Sequence, residues 1–295
     1  MRIDPKGRSQ DIEDRRGAGG GGGGGGFGGL GGGGGMRRGG LGLGGFVILL
    51  VLSLVFKRDF ISLAGGGGGA VGGEPAAEAP VQDASEEPLV LRLGVVLDSV
   101  QNYWARTLPA MGTQYPRATL VLFRGGTQTD GCGFGESAAG PFYCPADSKV
   151  YIDLDFLEEL QRRFRAPGDF AQAYILAHEI GHHVQNVVGT SDQVRAAQQR
   201  SRGSANELSV RLELQADCYA GVWGHLAAKQ GWLHEGDVDE GLGAAAAVGD
   251  DRIQRQATGR VNPESWTHGS SEQRKEWFAR GFRDGRPETC DTFAR

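Results

Sequence analysis

His178, Glu179 and His182 stand in the order His-Glu-x-x-His inside the apolar run from Tyr174 to His183. On a helix these two histidines sit four residues apart, so both imidazoles leave the same face one turn apart. Two nitrogens in that relation can bind one tetrahedral Zn²⁺, with Glu179 beside them to accept a proton from the activated water. A core helix that matches by accident carries the same residues and no metal. The surroundings of the motif must separate the two readings.

A catalytic zinc takes three protein ligands and leaves a fourth position open. The candidates for the third lie between Glu207 and Gly221, where Glu213 and Asp217 share a helix face one turn apart. They form the acidic pair in the otherwise largely apolar run from Leu212 to Ala220. Burying two carboxylates there is costly unless cations or donors receive them. A zinc ion for Glu213 and the N–H of a ligand imidazole for Asp217 meet that need. The competing reading is a solvated helix face with ordinary acidic residues.

The remaining histidines are weaker candidates. His183 lies about 100° round the helix from His182 and does not face the same ion. It either supports the ligands from behind or packs. His268, in the turn Thr267-His-Gly-Ser-Ser, could donate to the oxyanion of a tetrahedral intermediate, or could cap the helix that follows.

The elements that must position these groups follow from periodicity. Leu91, Val95, Val96, Val100 and Trp104 predict a helix over 89–104. Residues 118–123 and 149–154 predict strands on either side of a glycine-rich loop. A helix follows over 155–165, and Asp169 is placed to cap the motif helix, which runs to about 188 and stops at Gly189. Helices over 191–200, 204–230, 237–257 and 271–283 complete the chain.

Before residue 89 the character changes. The chain has 295 residues and 52 glycines, concentrated in the first seventy-five. Residues 1–40, polar and then almost pure glycine, cannot bury enough apolar surface to offset their entropy and are expected to be disordered. Leu41–Phe56 carries no charge, and Phe60–Leu63 extends it beyond Lys57-Arg58-Asp59. Residues 41–63 therefore predict a single transmembrane anchor, and 64–88 a flexible linker. Arg37-Arg38 ahead of the apolar run favours a cytoplasmic N-terminus with the body outside the cytoplasm, in a periplasmic or extracellular space; Lys57-Arg58 on the far flank weakens that preference. The net charge of −5 is uneven, positive before residue 60 and negative after it. An acidic body argues against a nucleic-acid partner. Cys132, Cys144, Cys218 and Cys290 all lie in that body, without a Cys-x-x-Cys pair. An even count suits two disulfides in an exported domain.

His178-Glu-x-x-His182 with Glu213-x-x-x-Asp217 resembles the gluzincin class of zinc metallopeptidases. The wider motifs, His178-Glu-Ile-Gly-His-His-Val-Gln185, Glu213–Trp223, Gly140-Pro-Phe-Tyr-Cys-Pro145 and Thr267–Arg274, resemble the bacterial neutral zinc metallopeptidase family. The resemblance covers roughly residues 89–295, and the glycine-rich start with one anchor fits its layout. It implies an α+β, zincin-like domain, with a small sheet over the motif helix and a helical C-terminal part. It implies one Zn²⁺ per chain on His178, His182 and Glu213, Glu179 as general base, and Asp217 behind a ligand histidine. A peptide or protein would be the substrate, paired along a sheet edge at Ser137–Tyr143 or at Val150–Asp153. Pairings Cys132–Cys144 and Cys218–Cys290 are expected, the second tying the C-terminal tail to the Glu213 helix. The reading from another class is a non-catalytic, zinc-stabilised scaffold or binding domain of the same fold.

Overall fold

The computed structural model describes residues 1–5, 7–17, 84–136, 140–164 and 168–294. The expected anchor at 41–63 lies outside them, as does the expected linker up to residue 83. Among the described residues no helix is long and apolar enough to cross a membrane.

The first helix, α1 (Glu87–Thr107), opens with Pro88 in its first turn, where a missing N–H costs nothing. Val90, Leu93, Leu97, Val100 and Trp104 form its buried stripe. Each large apolar side chain so buried contributes about 1.5–3 kcal/mol. The folded body thus begins a few residues before the expected limit at 89.

Five short strands follow or flank this helix: β2 (Thr119–Phe123), β3 (Gly126–Gln128), β4 (Phe134–Glu136), β5 (Phe142–Cys144) and β6 (Lys149–Asp153). A sixth, β1 (Ile12–Asp14), comes from the N-terminus. The main sheet has the order β1-β2-β6-β5, with β1, β2 and β6 parallel and β5 antiparallel to β6. The hairpin β3–β4 forms a separate two-stranded sheet. Leu120, Leu122, Val150 and Ile152 point to one face and join the main core. Val121, Phe123, Tyr151 and Cys144 point to the other and form a smaller cluster with Phe142.

Two expectations need correcting. Of the tail expected to be disordered over 1–40, residues 7–17 are not free, because β1 takes an edge of the sheet beside β2, and residues 18–40 lie outside the described residues. Three residues of strand supply too little local signal to be seen in sequence; pairing with a distant strand makes them one. Val150 and Tyr151 are also not at an edge, because β6 lies between β2 and β5 there; Ile152 and Asp153 run on past the three residues of β5, which forms the opposite border of the sheet.

The helical part contains α2 (Leu154–Phe164), α3 (Asp169–Val187), α4 (Thr190–Arg200), α5 (Ala205–Lys229), α6 (Asp237–Ala247), α7 (Asp250–Thr258) and α8 (Ser271–Asp284). The expected helix over 237–257 is two helices, broken between Ala247 and Asp250. Gly249 is extended there, and an added Cβ would lie 2.4 Å from the Ser271 backbone nitrogen. Asp169 is the first residue of α3, with Gly168 in the capping position. From Phe170 to Gly181 every residue of α3 is buried, as expected of a helix enclosed by α1, α5, α6 and the sheet.

Both expected disulfides form. Cys132–Cys144 fastens the β3–β4 hairpin to β5. Cys218–Cys290 fastens the C-terminal segment to α5.

Candidate metal centre

α3 carries His178, Glu179 and His182, and α5 carries Glu213. The two helices approach closely because residue 181 is glycine. A Cβ there would stand 3.1 Å from Cα and 3.2 Å from the carbonyl oxygen of Ala216. A helical glycine costs about 1 kcal/mol relative to alanine. Here it allows the crossing that sets the histidines against the acidic face of α5.

The result is a cluster. One ligand atom each from His178, His182 and Glu213 lies within 4.8 Å of the others. Nε2 of His178 is 3.3 Å from Glu213 Oε2, and Nε2 of His182 is 3.5 Å from Oε1. Both histidines therefore present the same nitrogen to one point. Their other nitrogens are held from behind. Asp217 Oδ1 lies 2.9 Å from His178 Nδ1, and Gln185 Oε1 lies 2.9 Å from His182 Nδ1. Oxygen acceptors at Nδ1 select the tautomer that leaves Nε2 free as an electron-pair donor.

The two supporting groups are themselves anchored. The Gln185 amide donates to Leu212 O at 2.8 Å and to Gln215 Oε1 at 3.1 Å. Asp217 is fully buried. It accepts from Tyr174 Oη on Oδ1, from Arg274 Nε on Oδ2 at 2.8 Å, and from Arg274 Nη2 on Oδ1 at 2.9 Å. Arg274 is also buried, in the first turn of α8, whose start is fixed by a Ser270–Gln273 capping box. A buried carboxylate and a buried guanidinium so paired satisfy each other.

The electrostatics follow from burial and these neighbours. Burial pushes the Glu179 carboxyl above its usual range, against the pull of the two imidazoles. Burial would also raise Glu213, but His182 and His178, and then His268, outweigh it and hold Glu213 well below the ordinary value. For His178 burial acts downward; the charge and hydrogen bond of Asp217 prevail and push it up to about 10.

His268 is brought to the same region, near enough for its charge to act on Glu213. Its side chain is 42 % exposed and its Nδ1 lies 3.1 Å from Asp250 Oδ1. Asp250 Oδ2 accepts the backbone N–H groups of Thr267, His268 and Gly269. One carboxylate thus shapes the turn and orients the ring. His183 is not part of the cluster. Its Nε2 donates to Pro116 O at 2.7 Å, and its Nδ1 lies 3.0 Å from Tyr143 Oη. Tyr143 also accepts from Asn186, so His183 packs β5 against α3 rather than supporting a ligand.

Across its length the chain carries this arrangement in a recognised sequence context. Residues 1–293 match the family described as "putative neutral zinc metallopeptidase". The chain belongs to that family. It is 44 % identical over 299 residues to the uncharacterized protein YpfJ of Escherichia coli (strain K12), covering 100 % of this chain and 99 % of that relative. It is 48 % identical over 208 residues to the uncharacterized protein Rv2575 of Mycobacterium tuberculosis (strain ATCC 25618 / H37Rv), covering 67 % of this chain and 68 % of that relative. No solved structure matches it.

Family membership accords with the donor set, two imidazoles and a carboxylate, which suits zinc. Sequence reasoning missed Gln185, Tyr174, Asp250 and Arg274 as supporting groups. Two of these were findable on the motif helix. Tyr174 precedes His178 by one turn and Gln185 follows His182 by three residues, both face-sharing separations. Asp250 comes from a distant helix with no local signal; Arg274 closes the motif Thr267–Arg274, but nothing in that stretch points to Asp217 as its partner.

Proposed function

We propose that the chain is a zinc-dependent metallopeptidase that hydrolyses peptide bonds. The observation that carries this reading is the convergence of His178 Nε2, His182 Nε2 and a Glu213 oxygen within 4.8 Å, with Glu179 adjacent on the same helix. Among the described residues no fourth His, Cys, Asp or Glu joins the group. Three ligands leave a position for reaction, whereas a purely structural zinc is closed by four. The side chains of His182 and Glu213 are 21 % and 19 % exposed, so the cluster is open to a substrate on one side.

His178, His182 and Glu213 would hold the zinc, which when bound would supply an acidified water and a polarised carbonyl. Glu179 is the general base: it takes the proton of the attacking water and passes it to the leaving amine. Its burial-raised carboxyl suits both transfers. His268, oriented by Asp250, donates through Nε2 to the oxygen of the attacked carbonyl as negative charge develops there. The border strand β5, tied to α3 through Tyr143 and His183, offers its outer backbone to an extended peptide. The two disulfides that brace the body support an oxidising compartment as its place of work.

The test is metal content and peptidase activity of the full-length protein. Wild type is expected to hold one zinc per chain and cleave a mixed peptide library. Glu179→Gln should retain zinc and lose cleavage, and Glu213→Ala should lose both. Stoichiometric zinc with no cleavage of any peptide would end the catalytic reading; absence of zinc from wild type would end both.

A further inference from the structure

The N-terminal arm is built into the body. Ile12, Glu13 and Asp14 pair in register with Leu120, Val121 and Leu122. Backbone bonds from Leu120 N to Asp11 O (2.8 Å) and from Arg15 N to Leu122 O (2.7 Å) complete the ladder. The side chains lock it further. Ser9 Oγ donates to Asp98 at 2.8 Å, Gln101 Nε2 and Arg117 Nε both donate to Asp11, and Lys149 Nζ pairs with Glu13 at 2.9 Å. Arg8 Nε donates to Glu87 at 2.6 Å. Arg16, 5 % exposed, pairs with Asp14 at 2.6 Å and Glu86 at 2.8 Å. Of the two carboxylates on this buried guanidinium, Asp14 belongs to the arm and Glu86 to the body, where Arg124 also holds it, so Arg16 ties the arm to a site already fixed in the body. On the helix side Gly94 makes room: a Cβ there would lie 3.2 Å from Ser9 N.

The Arg16–Glu86 pair has a topological consequence. It joins the last residues of the arm to the residue just before α1, so the chain leaves and re-enters the body at one place. A single membrane crossing would set those two residues on opposite sides of a hydrocarbon layer about 30 Å thick. Each crossing takes about 20 apolar residues, so 41–63 has length for one and not for a there-and-back pair. We infer that the N-terminal arm and the body lie on the same side of the membrane, so that the apolar run Leu41–Leu63 is not a single crossing. This replaces the expectation of a cytoplasmic N-terminus with an exported body, and it is independent of the zinc chemistry.

Two measurements on the full-length chain in cells test the inference. In the first, Ser9→Cys with Gly94→Cys places the two Cβ atoms about 3.3 Å apart, close to the 3.5–4.5 Å range of a disulfide. Non-reducing peptide mapping is expected to find the 9–94 link alongside the two native disulfides. In the second, Gln10→Cys and Asp192→Cys, each alone on the exposed surface, are treated with a membrane-impermeant maleimide before and after lysis. Both are expected to label under the same condition. Labelling of one from outside and the other only after lysis overturns the inference, and serves if the cysteine pair itself perturbs docking.

Discussion

Arg274 and Asp217 meet through two hydrogen bonds in a fully enclosed site, although they stand 57 residues apart in the chain. The pair holds the carboxylate whose Oδ1 faces His178 Nδ1. α8 therefore reaches the metal-ligand cluster without contributing a ligand.

Removing the guanidinium leaves Asp217 buried with Tyr174 and His178 only. Arg274→Met is expected to destabilise the protein by about 3–5 kcal/mol, the cost of stranding one partner of a buried ion pair. Urea unfolding of the metal-free protein measures it. Asp217→Asn keeps the shape and should lower zinc affinity by about 10–100-fold, the usual range for a lost supporting bond. Competition with a chelator reads that value.

Zinc affinity should rise with pH. The metal-free His178 is pushed up to about 10 by Asp217, and a ligand imidazole must be neutral. Binding therefore expels a proton below that pH, and apparent affinity should climb by up to about tenfold per pH unit through the window from 6.5 to 10. Calorimetry in buffers of different ionisation enthalpy counts the proton. The sign for stability is opposite. A raised imidazole stabilises the metal-free fold fully below 6.5, and that contribution fades as pH rises toward 10.

Gly181→Ala tests the helix crossing. The new methyl meets the Ala216 backbone at 3.1 Å, and α3 and α5 must part by a few tenths of an ångström. The expected result is weakened zinc binding with the helical circular dichroism intact, since the substitution favours the helix itself by about 1 kcal/mol.

If His268 holds the carbonyl oxygen in the transition state, His268→Ala should lower kcat by about 10²–10³ with little change in KM, as for loss of one oxyanion donor. Zinc content should stay at the wild-type level. Asp250→Ala should act in the same direction through the loosened turn, and steady-state kinetics with metal analysis separates both from ligand loss.

The disulfide Cys218–Cys290 reaches the site by another route. Gln215 on α5 donates to Cys290 O at 3.0 Å and accepts from Gln185, which holds His182. Replacing both cysteines by alanine should cost about 2–5 kcal/mol and weaken zinc binding as well. Thermal unfolding and chelator competition report the two effects.

Local pattern determined much of this molecule. The three-to-four residue spacing in α1, the unbroken apolar run of β2, the alternation in β6, and the glycine near the end of α3 each respond to forces between near neighbours, so they are legible in the chain. The same holds for the metal group: residues four apart on a helix share a face wherever that helix goes. Glu213 and Asp217 stand out because two acids in an apolar run need partners. Tertiary structure alone decided which partners those are. Arg274, Asp250 and the strand Ile12–Asp14 are supplied by segments remote in sequence, with no periodicity that marks them. Their roles come from burial, which makes an unpaired charge or an unpaired strand edge costly and so selects the distant group that relieves it.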